Sequence, residues 1–355
     1  MSSPRRRQPR PLDRAAGSQP AGSSRDWAPI VLLPNPLPDF SRNAVDTSLR
    51  LFGRVCAIPL LLQADRATDY DTIRLVANAE RRDSFLFSLG DLVEVIGDRT
   101  LLSRLVTITD SFEPATLLGE LAISALVGGP STAPIGVGAA VSAVRNLRLR
   151  ALIVRLDLAE AAEHGLNDLD PSRIPEMIRE LKEAIGCPVL IRSTTGFPRN
   201  VARRLAQHGT SGFITGGTSR ASVVPTGDAT SCVGSADPLD QPGIPPAAAI
   251  RMLRGISPSI VCDARFNSGA DAAKAIALGA DLVAPSGALA TLQADDPSAI
   301  DRWVANFASA LATAMFRAGA RTLAQLRQAP FVATGETREW LEAAETLWRA
   351  DPRDE

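Results

Sequence analysis

The sequence predicts an α/β fold, a (β/α)8 TIM barrel with a disordered N-terminal tail and C-terminal helices. Three observations carry that reading. Short apolar runs alternate with amphipathic stretches of about ten residues from Ile58 onward, the pattern of a parallel sheet with crossover helices. The runs number about eight, which favours a closed barrel over an open doubly wound sheet. The length, 355 residues, suits one such barrel with extensions.

Residues 1–25 are rich in Arg, Pro, Ser and Gly and contain Arg5-Arg6-Arg7, so a disordered basic tail is expected there. The barrel domain is expected over 26–350. Ile58–Leu62 reads as the first strand, Ser84–Phe87 as the second and Ile123–Val127 as the third. Gly136–Arg148 has helical spacing and leads into Ala151–Leu156, the fourth strand. Asp170-Pro171-Ser172 is a helix-start pattern, and the helix that follows runs over Ile174–Ile185 and stops at Gly186. Pro188–Arg192 is the fifth strand, Arg199–His208 a helix closed by Gly209, and Gly212–Thr215 the sixth strand. Arg220–Gly243 is a long polar loop on the expected catalytic face, either a lid or a disordered insertion. Pro245–Leu253 is a helix, Ser259–Cys262 the seventh strand, Ala270–Leu278 a helix closed by Gly279, and Asp281–Ala284 the eighth strand. Helices follow at Ser298–Ala318, Thr322–Gln328 and Thr337–Leu347.

Composition narrows the function. A net charge of -1 argues against a strongly basic nucleic-acid binder. No apolar run reaches the roughly 18 residues of a membrane span. There is no apolar signal-peptide core, so a cytoplasmic protein is expected. Four cysteines, Cys56, Cys187, Cys232 and Cys262, lie far apart, and with only His164 and His208 a zinc site of Cys/His type is disfavoured. Lys182 and Lys274 are the only lysines, so phosphate contacts must come from Arg, backbone N–H groups or hydroxyls.

In a barrel, ligand-binding groups sit at the C-terminal ends of strands. That places Gln63, Asp65 and Arg66 after the first strand, Gly90 and Asp91 after the second, and Gly128 and Gly129 after the third. Arg155, Asp157, Glu160 and Glu163 follow the fourth, Arg192, Ser193 and Thr194 the fifth, and Gly216-Gly217-Thr218-Ser219 the sixth. Asp263, Arg265 and Asn267 follow the seventh, and Ser286 and Gly287 the eighth. Gly216-Gly217-Thr218-Ser219 offers close backbone approach, N–H groups and hydroxyls to a phosphate; a plain turn is the competing reading. Carboxylates at Asp157 and Glu160 could hold Mg²⁺, which needs only one or two of them; a surface ion-pair network is the alternative.

Several stretches resemble the type 2 isopentenyl-diphosphate isomerases, flavin-dependent (β/α)8 barrels. They are Leu37-Pro38 with Val45-Asp46-Thr47-Ser48, Phe52-Gly53 and Ile58-Pro59-Leu60-Leu61; Gly136–Asp157; Gly216-Gly217-Thr218-Ser219; Gly269–Ala280; and Gly319–Leu326 with Thr334-Gly335-Glu336 and Arg338-Glu339-Trp340-Leu341. The similarity covers about residues 28–345.

The functional positions depart from the family's pattern. Its His-Leu-Asn-x-x-Gln-Glu reads Arg155-Leu156-Asp157-Leu158-Ala159-Glu160-Ala161, so Glu160 replaces a glutamine and Ala161 the magnesium-ligand glutamate. The flavin-contacting Lys of strand five is Arg192, and the Ser-Gly-Gly-Ile-Arg of strand seven is Asp263-Ala264-Arg265-Phe266-Asn267.

The resemblance implies an isomerase acting on a prenyl diphosphate in isoprenoid or terpenoid biosynthesis, by protonating and deprotonating an alkene. Asp157, Glu160 and Asp263 are the candidate acids and bases. Arg192, Gly216, Gly217, Thr218, Ser219, Ser286 and Gly287 are the positions for a flavin, and Arg155, Arg265 and Asn267 for the substrate. FMN and Mg²⁺, the latter through Glu160, are the implied cofactors, although the altered positions argue against FMN. A homo-oligomer is expected. Two rivals stay open: a flavin-independent prenyl-diphosphate cyclase on the same scaffold, and a non-catalytic barrel subunit. An FMN-dependent oxidoreductase is disfavoured, since no histidine lies near strand seven.

Overall fold

The computed structural model describes residues 25–64, 66–112, 116–127, 134–156, 158, 170–216, 243–289, 292, 296 and 298–349. In chain order the strands are β1 (Ile30–Leu32), β2 (Leu49–Leu51), β3 (Arg54–Cys56), β4 (Leu61–Gln63), β5 (Leu86–Asp91), β6 (Leu117–Ala122), β7 (Ala151–Arg155), β8 (Val189–Ser193), β9 (Gly212–Gly216), β10 (Ile260–Ala264), β11 (Leu282–Pro285) and β12 (Phe331–Ala333). The helices are α1 (Tyr70–Asp83), α2 (Val93–Gly97), α3 (Arg99–Thr109), α4 (Ile123–Val127), α5 (Val137–Asn146), α6 (Ile174–Ile185), α7 (Arg199–Gln207), α8 (Pro246–Leu253), α9 (Gly269–Leu278), α10 (Ala299–Arg317), α11 (Leu323–Leu326) and α12 (Gly335–Arg349).

Strands β4 to β11 form one eight-stranded sheet in sequence order, each parallel to the next. It closes where Leu60 bridges Val283 in parallel and the Val283 N–H donates to Pro59 O at 3.1 Å. The expected barrel is therefore present. Alternate residues face inward, and Leu61, Leu86, Leu118, Ile153, Leu190, Ile214, Val261 and Leu282 fill the interior as one apolar cluster. The other faces of the strands pack against the helices in the larger cluster.

The floor of the barrel is closed by the antiparallel hairpin β2–β3, whose Leu51 and Cys56 join the interior cluster. Arg150, just before β7, donates from Nε to Phe52 O and so ties this hairpin to the N-terminal ends of the strands. The β1–β12 ribbon pairs the start of the described chain with its end, Val31 opposite Val332.

Local chemistry explains the helix limits. Asp98 accepts from the Thr100 and Leu101 N–H groups at the start of α3, and Ser268 from the Ala270 N–H at the start of α9. Helix α6 follows the Asp170 turn and ends at Gly186, whose φ of +73° only glycine adopts without strain. One expectation is corrected. Ile123–Val127 is a helix, α4, and the third barrel strand is β6, Leu117–Ala122. A mostly apolar run of five residues carries no period that separates strand from helix, and here the strand and helix adjoin with no turn residue between them. Gly128 and Gly129, expected after the third strand, lie outside the described residues, as does most of the Arg220–Gly243 loop.

Candidate active site at the barrel mouth

The inward-facing positions nearest the C-terminal ends of the strands are polar where the layers below are apolar. Glu120 of β6, Arg155 of β7, Arg192 of β8 and Asp263 of β10 continue the inward alternation begun by Leu118, Ile153, Leu190 and Val261. They meet as one chain of ion pairs. Arg192 Nη1 lies 2.6 Å from Glu120 Oε2, and its Nη2 lies 2.6 Å from Asp263 Oδ2. The second oxygen of Glu120 is 3.2 Å from Arg155 Nε, and Arg155 Nη2 is 3.3 Å from Asp91 Oδ2. At the other end, Ser286 Oγ donates to Asp263 Oδ1. The chain thus runs from the second barrel strand to the loop after the eighth.

Glu120 and Asp263 are both buried, with side chains 7% and 6% exposed. A carboxylate in such a place needs a cationic partner, and Arg192 supplies one for each. Burial works against the charge of Arg192, yet Asp263 and then Glu120 outweigh it and hold its pKa above the ordinary guanidinium value. Strand geometry sets this up. Gly90, at φ +76°, sits in the register break of β5 just before Asp91. Gly216 stands where a Cβ would come 3.2 Å from Thr194 O and 3.4 Å from Asp263 O, so a side chain there would crowd both neighbouring strands.

Beside this chain, at the seam between the first and eighth strands, is a cavity of about 210 Å³ lined by Gln63, Ala64, Asp69, Thr72, Gly287, Leu289 and Leu292. Gly287 has φ +69°, and nothing lies within 4 Å of where its Cβ would be. Arg265 and Asn267 are exposed in the loop between β10 and α9. That loop is anchored from beneath. Trp27 is fully buried, stacks on Phe266 with ring centroids 5.1 Å apart, and donates from Nε1 to Arg265 O at 3.0 Å.

Of the residues singled out in the sequence, Asp91, Arg155, Arg192, Asp263 and Ser286 come together in one network, with Gly216 and Gly287 beside it. Arg265 and Asn267 occupy the rim. Asp157, Glu160, Gly217, Thr218 and Ser219 lie outside the described residues. Glu120 was missed, because the third strand was placed too late in the chain. A single acidic residue inside the apolar run Leu117–Ala122 was the available signal, since a buried carboxylate demands a partner. Among the described residues, no group of three or more His, Cys, Asp or Glu side chains is arranged to hold a metal ion. No helix among them is long and apolar enough to cross a membrane.

Residues 244–333, from the loop before α8 to β12, match the family described as FMN-dependent dehydrogenase. Across nearly the whole barrel the chain is 28% identical to the isopentenyl-diphosphate delta-isomerase of Archaeoglobus fulgidus, covering 88% of this chain and 91% of that protein. The protein of the same name from Methanothermobacter thermautotrophicus is also 28% identical, with 88% of each chain covered. Among solved structures, a mandelate oxidase mutant with a monooxide FMN adduct superposes with a TM-score of 0.59 at 17% identity, over 88% of this chain and 94% of that one, a likeness of fold.

Proposed function

We propose that this barrel, which is 28% identical over 88% of its length to isopentenyl-diphosphate delta-isomerases, acts on a prenyl diphosphate by protonating and deprotonating an alkene, in isoprenoid or terpenoid biosynthesis. The observation that carries the proposal is the polar network at the barrel mouth, on the face where barrels do their chemistry, in a scaffold that isomerases match over 88% of its length. The diphosphate is assigned to Arg265 and Asn267, exposed on the rim of strand seven, together with Arg155 of strand four.

The carboxylates divide by environment. Both oxygens of Asp263 accept bonds, from Arg192 and Ser286, so it acts as an acceptor that positions Arg192. Proton delivery to the alkene then falls to Asp157, or to Glu160 where Glu160 is not holding Mg²⁺. Mg²⁺ is assigned to Glu160 and the substrate's phosphate oxygens, a donor set that suffices for an ion keeping most of its waters.

FMN fits in two respects. Arg192 Nε is a buried donor without a partner among the described residues, and Gly287 leaves an open cradle at the strand-eight rim. Arg192 would face the acceptor edge of the flavin, and Gly216 and Gly287, with Gly217, Thr218, Ser219 and Ser286, would hold its phosphate. When bound, the flavin supplies a group able to exchange a proton or electron with the substrate.

Neutralisation of Arg192 by two carboxylates favours a second reading, in which the same substrate class is cyclised without flavin. The proposal also includes assembly as a homo-oligomer, supported by the exposed pair Val31 and Val332, and a cytoplasmic location, supported by the free thiols of Cys56, Cys187 and Cys262.

The test is turnover of prenyl diphosphates of several lengths in D₂O with Mg²⁺, with and without FMN and reductant. Deuterium at a carbon of the former alkene supports the proposal. An isomer formed only with FMN points to the isomerase, and a ring formed without it points to the cyclase. Substrate recovered without deuterium under every condition overturns both and leaves a non-catalytic barrel.

A further inference from the structure

The network at the barrel mouth contains three carboxylates, Asp91, Glu120 and Asp263, and two guanidinium groups, Arg155 and Arg192. Glu120 is the only member that binds both arginines, one with each oxygen. It draws Arg155 and Arg192 toward each other and neutralises them from below, while Asp91 and Asp263 hold their outer ends. Neither arginine is left to present a whole charge to the mouth. Arg192 Nε is a buried donor without a hydrogen-bond partner among the described residues.

A flavin ring carries an acceptor edge and becomes anionic when reduced, so its affinity and electronics depend on a cation at that edge. Arg192 stands where the resembling family has its flavin-contacting lysine and would be that cation, and its ion pair with Glu120 opposes the task. We propose that Glu120 sets the barrel's affinity for flavin, holding it low by keeping Arg192 and Arg155 in ion pairs. Its loss would release Arg192 to the ligand. This inference rests on the reading of the mouth as a ligand site, but it concerns binding alone and needs no turnover.

The experiment is a titration of the full-length protein with FMN and, separately, with riboflavin, followed by flavin fluorescence. Wild type is compared with Glu120→Gln and Glu120→Asp. Glu120→Gln should bind FMN about tenfold more tightly than wild type, the scale of one charge-assisted hydrogen bond. Glu120→Asp keeps the charge and should gain nothing. Riboflavin, which lacks the phosphate, should show the same gain, because the released cation faces the ring. Asp263→Asn, which frees Arg192 from the other side, should move in the same direction and guards against misfolding of the first variant. Equal or weaker flavin binding by both neutral variants, with cooperative thermal melts, overturns the proposal. So does a gain seen with FMN and not with riboflavin. Failure of the deuterium experiment together with a gain here would remove the proposed reaction and leave this inference standing.

Discussion

Glu120 on the third barrel strand and Arg192 on the fifth meet at 2.6 Å across the end of the strand between them. The contact spans the barrel interior, 72 residues apart in the chain. Arg192 reaches Asp263 on the seventh strand in the same way, so one guanidinium ties together strands that share no backbone hydrogen bonds. The residues at the centre of the candidate site therefore also hold the mouth of the barrel.

Removing Arg192 should be costly. Arg192→Gln leaves Glu120 and Asp263 buried with no shared cation, and loss of one partner from a buried pair costs about 3–5 kcal/mol. Arg192→Lys should recover only part of this, because a single ammonium cannot fork between two carboxylates as a guanidinium does. Urea denaturation of the three proteins checks the order wild type, Lys, Gln. Equal midpoints for Lys and wild type would mean that the fork contributes nothing.

Much of the barrel was legible because its signals are local. Asp170, Ser268, Gly186 and Gly279 mark helix ends by side-chain capping and glycine stops, which operate within a few residues. The third strand was not legible. Ile123–Val127 is apolar but for Ser124, and only the packing of Leu117–Ala122 between β5 and β7 decides which stretch is the strand. At the site, the rule that barrels use strand ends pointed to Asp91, Arg155, Arg192, Asp263 and Ser286. Their pairing was invisible, since each partner lies on a different strand and no spacing encodes the contact. The same rule missed Glu120 only because the strand beneath it had been misplaced.

Helix packing gives a second prediction. A Cβ on Gly269, the first residue of α9, would lie 2.0 Å from Phe307 O and 2.5 Å from Leu311 N, both backbone atoms of α10. Gly269→Ala must push the two helices apart and should cost about 3 kcal/mol, the upper range for overpacking. Gly138→Ala is the control. Gly138 is exposed in α5 and its Cβ would meet nothing within 4 Å, so alanine there should stabilise the protein by about 0.5–1 kcal/mol. A difference in thermal midpoint of opposite sign for the two variants is the expected result.

The thiols offer a third. Burial pushes the Cys56 thiol up to about 11, and burial together with the adjacent Asp263 raises that of Cys262. Thiolate is the reactive form, so near pH 8 both should resist alkylation in the folded protein. Labelling with iodoacetamide under native conditions, then mapping of the Cys56 and Cys262 peptides, should find both unmodified. In denaturant both should label fully. Rapid native labelling of Cys262 would mean that the strand carrying Asp263 opens readily.

The last prediction links the start of the described chain to the site. Trp27 is fully buried against Phe266, its Nε1 donates to Arg265 O, and its own carbonyl accepts from Lys274 Nζ at 2.8 Å. It thereby fixes the loop from β10 to α9 that presents Arg265 and Asn267. Truncating a buried aromatic costs about 3–5 kcal/mol, so Trp27→Ala should lower stability by that amount. It should also free the loop. Limited proteolysis with trypsin, which cuts after arginine, should cleave at Arg265 in Trp27→Ala well before global unfolding. Trp27→Phe, which keeps the ring stack and loses only the indole donor, should protect Arg265 nearly as well as wild type. If Trp27→Phe is cleaved as fast as Trp27→Ala, the hydrogen bond to Arg265 O holds the loop and the stacking on Phe266 does not.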